Sequence, residues 1–501
     1  MNNFEQKILL RSKMIDISTG YPWIIALSEP DARRYGIRAG DTLLLKWRHH
    51  STAVSVDLTT SLVKPGQVGL FREIKRQYKI PHDELIEFKL LEHPISLKVI
   101  QKKLLNKKLT YQEIFGVIRD IVRHRIDDIS IAFFVSSFFF KKPSLQEIYY
   151  LTKAMAETGY LFKFKGRVVD KHSTGGLPGN RVTPIILPII GVFGLTMPKT
   201  SSRAVTSAAG TADTFEVLAP VYFSAKQVER LIKKHKVCLV WGSKEIAPAD
   251  DRIIRVAYHL TIEPFSKMVV SIMAKKVAMG IKYLVVDIPV NPTAKVNSLR
   301  EAKKIRSLFL YLARKFKIKT EVTINFAADP VGRGVGPALE ARDILRVLEQ
   351  KKNRPFDLER KSVKLAGRLL ELSGKVKRGE GKKKAREVLK RGLAWKKMQE
   401  IIKAQGGNPN IDSEGLSQGK IVFEVKAGKR GVVNSIQNQN LVEICRLLGA
   451  PFIKKAGIYL NKSVGDRIKK GETLFTLYTV SQLRMNLAKE GLKKLKIYYI
   501  S

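Results

Sequence analysis

Two short stretches of this chain combine glycine, hydroxyl and basic residues in the way an anion site requires. The first is Asp170-Lys171-His172-Ser173-Thr174-Gly175-Gly176. The second runs Thr200-Ser201-Ser202-Arg203-Ala204-Val205-Thr206-Ser207-Ala208-Ala209-Gly210-Thr211-Ala212-Asp213. Glycines let backbone N–H groups approach an anion, hydroxyls donate to its oxygens, and a lysine or arginine supplies countercharge. Two such loops flanking one apolar segment predict a phosphate held from two sides. Neither is a nucleotide P-loop, since Gly-x-x-x-x-Gly-Lys-Ser/Thr is absent. Gly332-Arg333-Gly334-Val335-Gly336 has only a superficial likeness to a dinucleotide fingerprint and reads as a constrained turn.

Size and charge bound the answer. The 501 residues suffice for several domains, and a 44% hydrophobic content argues against disorder. Two cysteines, Cys238 and Cys445, are too few for a disulfide framework and lack metal-ligand spacing, which fits a reducing cytoplasm. The longest uncharged run, residues 182–198, is broken by Pro184, Pro188, Gly191 and Gly194. It reads as a buried helix rather than a membrane span. The N-terminus carries no signal-peptide pattern. Lysine and arginine total 91 against 45 acidic residues, a net charge of +46. The charges are spread along the chain, densest at 375–391, without the interleaved aromatics of an RNA reader. Steering of small anions is therefore favoured over a nucleic-acid partner.

The elements that must position the loops follow in order. Residues 1–92 read as short strands and turns, a small β-barrel-like domain. Residues 93–160 show helical spacing, with capping-box patterns at Thr110–Glu113 and Ser144–Glu147, and read as a run of helices. The aromatic run 132–140 reads as core packing. Residues 161–405 alternate strands, at 237–241, 283–288 and 319–324, with helices. This predicts an α/β lobe with a mixed or parallel sheet. Residues 406–501 return to short strands, a C-terminal α+β domain that resembles a barrel-sandwich hybrid but lacks a lysine in a Met-Lys context.

The signatures Lys171-His172-Ser173-Thr174-Gly175-Gly176 and residues 201–216 resemble those of the thymidine and pyrimidine nucleoside phosphorylases, and more closely those of the archaeal AMP phosphorylases. Ala247-Pro248-Ala249-Asp250-Asp251, Ser271-Ile272-Met273-Ala274-Lys275-Lys276 and residues 329–337 follow in the family's order, so the resemblance spans nearly the whole chain. It implies phosphorolysis of an N-glycosidic bond without metal or cofactor, namely AMP and phosphate to adenine and ribose 1,5-bisphosphate, with CMP and UMP as further substrates. It also implies that residues 93–160 are the first part of an all-α lobe whose further helices are inserted within 161–405, and that the protein is a homo-oligomer, a dimer or larger. By this resemblance Lys171, Ser173, Ser201 and Thr211 hold inorganic phosphate. Gly176, Ser202, Arg203, Ala204, Val205, Thr206, Ser207, Thr211, Ser271, Lys275 and Lys295 contact the nucleotide. Ser271 and Lys275 share a helical face at i and i+4, and Lys171 and Arg203 are expected to stay charged at any relevant pH.

The proton donor implied by the resemblance is Glu263, where the family usually has aspartate. Two further departures are the shortened loop Gly242-Ser243-Lys244-Glu245-Ile246 and Asn291-Pro292-Thr293 in place of a glycine-rich turn. The competing readings are a pyrimidine nucleoside phosphorylase and an RNA-binding descendant with weakened catalysis. The N-terminal domain and the second loop, whose extra hydroxyls and Arg203 suit a 5'-phosphate, favour a nucleotide substrate.

Overall fold

The computed structural model describes the chain except residues 1–6, 21–22, 91–94, 141–142, 205–206, 243–244, 259–263 and 328–329. Two compact units result: Met1–Thr158 with Ala249–Ile262, and Gly159–Pro248 with Glu263–Ser501.

In the first unit, strands β1 (Ile8–Met14), β2 (Ile24–Ser28), β3 (Thr42–Trp47), β4 (His50–Thr59), β5 (Gln67–Leu70) and β6 (Leu85–Leu90) close into a barrel in the order β1-β5-β2-β4-β3-β6. Alternation explains the closure. Ile8 and Leu10 point inward to join Ile25, Leu43, Val56, Val68 and Phe88, while Leu9 points out. Helices α1 (Glu29–Tyr35) and α2 (Arg72–Tyr78) lie in its connections. Four helices follow: α3 (Ile95–Leu104), α4 (Tyr111–Val122), α5 (Asp128–Phe140) and α6 (Leu145–Glu157). Both predicted capping boxes form, Thr110 with Glu113 and Ser144 with Glu147. Glu147 also takes the buried ammonium of Lys103 at 2.6 Å. The aromatic run is core only in part. Phe134, Phe138 and Phe139 are buried, whereas Phe133 and Phe140 stand about half exposed, because a helix this apolar all round cannot bury every face in one layer.

The second unit is built on parallel strands. Strands β7 (Val169–Ser173), β8 (Met197–Ser201), β9 (Val237–Trp241), β10 (Tyr283–Val290) and β11 (Lys319–Phe326) pair as β11-β10-β7 and β8-β9, all parallel. A parallel bridge from Val168 to Thr196 joins the two groups. Between these strands come α7 (Val182–Val192), α8 (Thr211–Phe215) and α9 (Ala225–His235). The uncharged run is the buried helix α7 only as far as Val192, with Pro188 inside it; its last residues, Met197 and Pro198, begin β8. No helix among the described residues is long and apolar enough to cross a membrane.

After β9 the chain contributes most of α10 (Pro248–Tyr258) to the first unit, where Arg252 donates to the carbonyls of Ile121 and Ile126 and pairs with Asp128. It then forms α11 (Phe265–Ala278) before β10, and α12 (Leu299–Lys315) before β11. Gly334 and Val335 are not merely a turn. They form strand β12, which pairs with Tyr459 and Ile458 while Asp343 accepts the N–H groups of Arg333 and Gly334. Helices α13 (Pro337–Leu348), α14 (Phe356–Leu372), α15 (Gly381–Lys390) and α16 (Leu393–Ala404) pack with α7 into one apolar core. The C-terminal strands form two small sheets around a separate core that includes Leu441, Ile458 and Leu477.

Candidate active site

The carboxyl ends of parallel strands are where backbone donors and loops gather in α/β folds, and the first loop sits at such an end. Strand β7 runs beside β10 with Val285 opposite Lys171 and Asp287 opposite Ser173. The Ser173 hydroxyl lies 3.2 Å from an Asp287 carboxylate oxygen and accepts from the Gly175 N–H at 3.4 Å. The Thr174 N–H donates to the Asp287 carbonyl at 3.0 Å. Gly176 has φ of +91°, and a Cβ there would lie 2.7 Å from the backbone nitrogen of Lys295. Only glycine lets this loop rest against the 291–295 segment. That segment is itself fastened: Asn291 accepts from the Thr293 N–H and donates to the Ala327 carbonyl, both within 2.8 Å. The asparagine thus supplies, through an Asx turn, the shape that glycines would otherwise allow.

The second loop leaves β8 at Ser201 and closes on Asp213. One Asp213 oxygen accepts the N–H groups of Ala204 at 2.7 Å and Gly210 at 2.9 Å. A Cβ on Gly210 would strike Ser202 O and Arg203 C at 2.5 Å. Thr211 is the first residue of α8. Ser207 donates to the Ala209 carbonyl. Val205 and Thr206, expected to contact the nucleotide, lie outside the described residues, as does Glu263. On α11, Lys275 donates to Ser271 at 3.3 Å, so the two share one helix face as their spacing predicts.

Arg203 departs from its expected environment. Its guanidinium is already engaged by Glu216 through two contacts of 2.5 and 2.7 Å and by Asp213 at 3.1 Å, and it lies over the Trp241 ring. The guanidinium holds the Glu216 carboxyl down at about 2. Arg203 therefore closes the loop instead of offering an uncompensated charge, because a planar fork matches a carboxylate in two places.

The excess of basic groups lies elsewhere, and sequence reading missed most of it. Asp170 is shared by two buried ammonium groups, Lys276 at 2.5 Å and Lys199 at 3.3 Å. Asp287 pairs with Lys361 of α14 at 3.1 Å and accepts from Asn325 at 2.6 Å. Burial alone would raise the Asp287 carboxyl, but Lys361 and Lys171 hold it below the usual range. Arg181 meets the buried Glu340 at 2.7 Å. With Lys171, which is 1% exposed, five basic side chains thus stand against the three carboxylates Asp170, Asp287 and Glu340. Such an excess in a low-dielectric setting favours a bound anion. The signal that would have pointed to Asp287 is its place as a lone charge in the apolar strand β10.

Burial also corrects the expectation that Lys171 stays charged at every pH. Desolvation brings its ammonium down to about 8, and Lys199 to about 7, despite nearby carboxylates. His172 is driven well below the ordinary imidazole value by burial and by Lys276, Lys199 and Lys171, so it is neutral. Its buried Nδ1 has no hydrogen-bond partner among the described residues. A bound anion favours the charged ammonium and so raises its pKa. By linkage, anion affinity is greatest where Lys171 is already protonated and is lost as pH rises through about 8. We expect phosphate affinity, measured calorimetrically once phosphate is fully dianionic, to fall steadily from pH 8 to 10. A flat profile over that range would remove Lys171 from the phosphate site.

Comparison with known proteins gives the family. Residues 165–395 match the a/b domain of the glycosyl transferase family, residues 97–159 its helical bundle domain, and residues 432–498 the pyrimidine nucleoside phosphorylase C-terminal domain. The chain is 39% identical to the AMP phosphorylase of Methanospirillum hungatei, over 94% of this chain and 92% of that protein. It is 37% identical to the AMP phosphorylase of Methanocaldococcus jannaschii, over 98% and 97%. Among solved structures, anthranilate phosphoribosyltransferase from Thermus thermophilus aligns with a TM-score of 0.51 at 18% identity. That match covers 61% of this chain and 99% of that one, a likeness of fold alone.

Proposed function

From the premise that this chain belongs to the AMP phosphorylase family of glycosyl transferases, we propose that it converts AMP and phosphate to adenine and ribose 1,5-bisphosphate, with CMP and UMP as further substrates. It is a nucleotide phosphorylase, a pentosyltransferase acting on an N-glycosidic bond. The observation that carries the reading is the excess of buried cations behind a glycine-rich loop, at the carboxyl end of β7. In this reading Lys171, Ser173, Ser201 and Thr211 hold inorganic phosphate. One of its oxygens bonds to the anomeric carbon as the bond from that carbon to the base nitrogen breaks. The electron pair leaves with the base, and Glu263 gives the base a proton.

Gly176, residues 202–207, Ser271, Lys275 and Lys295 orient the nucleotide. Because Arg203 is held by Glu216 and Asp213, the 5'-phosphate is assigned to hydroxyls and backbone N–H groups of the second loop. Binding energy from that remote group orients the ribose at the reacting centre. AMP should therefore show a specificity constant about 100-fold or more above that of adenosine, read by chromatographic release of base from a nucleotide and nucleoside panel with phosphate. Equal constants would move the activity to nucleosides, and no release from any member would end the phosphorylase reading.

A further inference from the structure

We propose that Arg181 is a positioning residue that locks the second anion loop to the first, so that donors from both converge on one phosphate; this rests on the phosphate reading above. Arg181 comes five residues after Gly176, the last residue of the first loop, and is the N-cap residue of α7. Its Nε donates to Glu340 at 2.7 Å, and its Nη2 donates to the carbonyl of Ala209, a backbone atom of the second loop. The same Glu340 oxygen accepts from Thr214 of α8 at 2.6 Å, three residues beyond the expected phosphate ligand Thr211. One guanidinium and one carboxylate thereby tie α7, α8, α13 and residue 209 together. Arg181 is 11% and Glu340 1% exposed, so water does not compete for these bonds.

Helix packing does not depend on this tie. Val182, Ile185 and Ile186 of α7 and Ala341, Ile344 and Leu345 of α13 already share the apolar core. What the guanidinium adds is the polar link to Ala209, and its form matters. A planar fork can serve a carboxylate and a carbonyl lying in different directions, whereas an ammonium on a flexible stem does not fix both. Losing the link frees the backbone that carries Thr211 while leaving every phosphate donor chemically intact. Displacements of about 1 Å at such sites are costly.

Inorganic phosphate titrated calorimetrically into the full chain tests this, using wild type, Arg181→Met and Arg181→Lys, with melting temperature and amide exchange of residues 207–210 recorded for each. The expected result is a dissociation constant raised about tenfold or more in both variants, at unchanged stoichiometry, with faster exchange at 207–210. A merely structural role would lower the stoichiometry and leave the dissociation constant alone, and that outcome overturns the proposal. So does an Arg181→Lys affinity within about twofold of wild type, since charge alone would then suffice. If Arg181→Met fails to fold, Arg181→Lys decides. Wild type that binds phosphate yet releases no base sinks the proposed reaction and leaves the positioning role standing. Wild type that binds no phosphate overturns both.

Discussion

Lys171→Met should lower phosphorolysis by roughly 100- to 1000-fold, the scale for losing one preorganised group that stabilises charge, with no loss of melting temperature. Lys171 is buried at the end of β7, and desolvation brings its ammonium down to about 8, so the free protein bears the cost of an incompletely compensated charge. Removing that charge strands neither neighbouring carboxylate. Asp287 keeps Lys361 at 3.1 Å and Asn325 at 2.6 Å, and Asp170 keeps Lys276 and Lys199. Methionine fills a similar volume, which limits any cavity. The loss should therefore appear in turnover at limiting phosphate and not in stability. Near wild-type turnover under those conditions would exclude Lys171 as a phosphate ligand. A steep drop in melting temperature would instead assign the lysine to the fold, as the partner that holds Asp287 and Asp170 in place.

Glu263→Gln is the second large effect, expected to slow release of adenine by roughly 100-fold or more, the usual scale for general acid catalysis. Glutamine keeps the shape and the capacity to hydrogen-bond but has no proton to give. Glu263→Asp should retain substantial activity, since it keeps the carboxyl and matches the residue usual in the family at this position. A pH profile separates the roles: the limb set by the acid should vanish in Glu263→Gln and persist in Glu263→Asp. Full activity of Glu263→Gln on AMP would transfer proton donation elsewhere, with Lys275 on α11 as the next group to test.

Local features were legible in the residues because their causes are local. Thr110 with Glu113 and Ser144 with Glu147 announce helix starts, since a cap needs only a hydroxyl and a carboxylate three positions apart. The apolar runs at 237–241 and 283–288 become β9 and β10 because a buried parallel strand must be apolar on both faces, whereas 319–324 becomes β11 at the edge of its sheet, where Lys319, Thr320 and Glu321 are tolerated because the strand is only partly buried. The first anion loop stood out because the backbone conformation that Gly176 adopts at +91° is costly for other residues, and the second because Gly210, where a Cβ would strike Ser202 O at 2.5 Å, sits among hydroxyl and basic residues. The family signature, too, could be read without coordinates.

What tertiary structure alone decided is which charges are spent and which remain. Arg203 and Lys171 are both basic residues in glycine-containing loops, and their sequence surroundings do not tell them apart. Folding gives Arg203 two carboxylates from the helix that follows, and leaves Lys171 buried with carboxylates already claimed by Lys361, Lys276 and Lys199. Asp287 reaches Ser173 across 114 positions and Arg181 reaches Glu340 across 159, separations at which no periodicity survives. Gly334 and Val335 likewise became a strand only because Ile458 and Tyr459 lie alongside. A charge at a given position has the same sign in any fold. Its energy depends on depth and partners, and those exist only once distant segments have packed together.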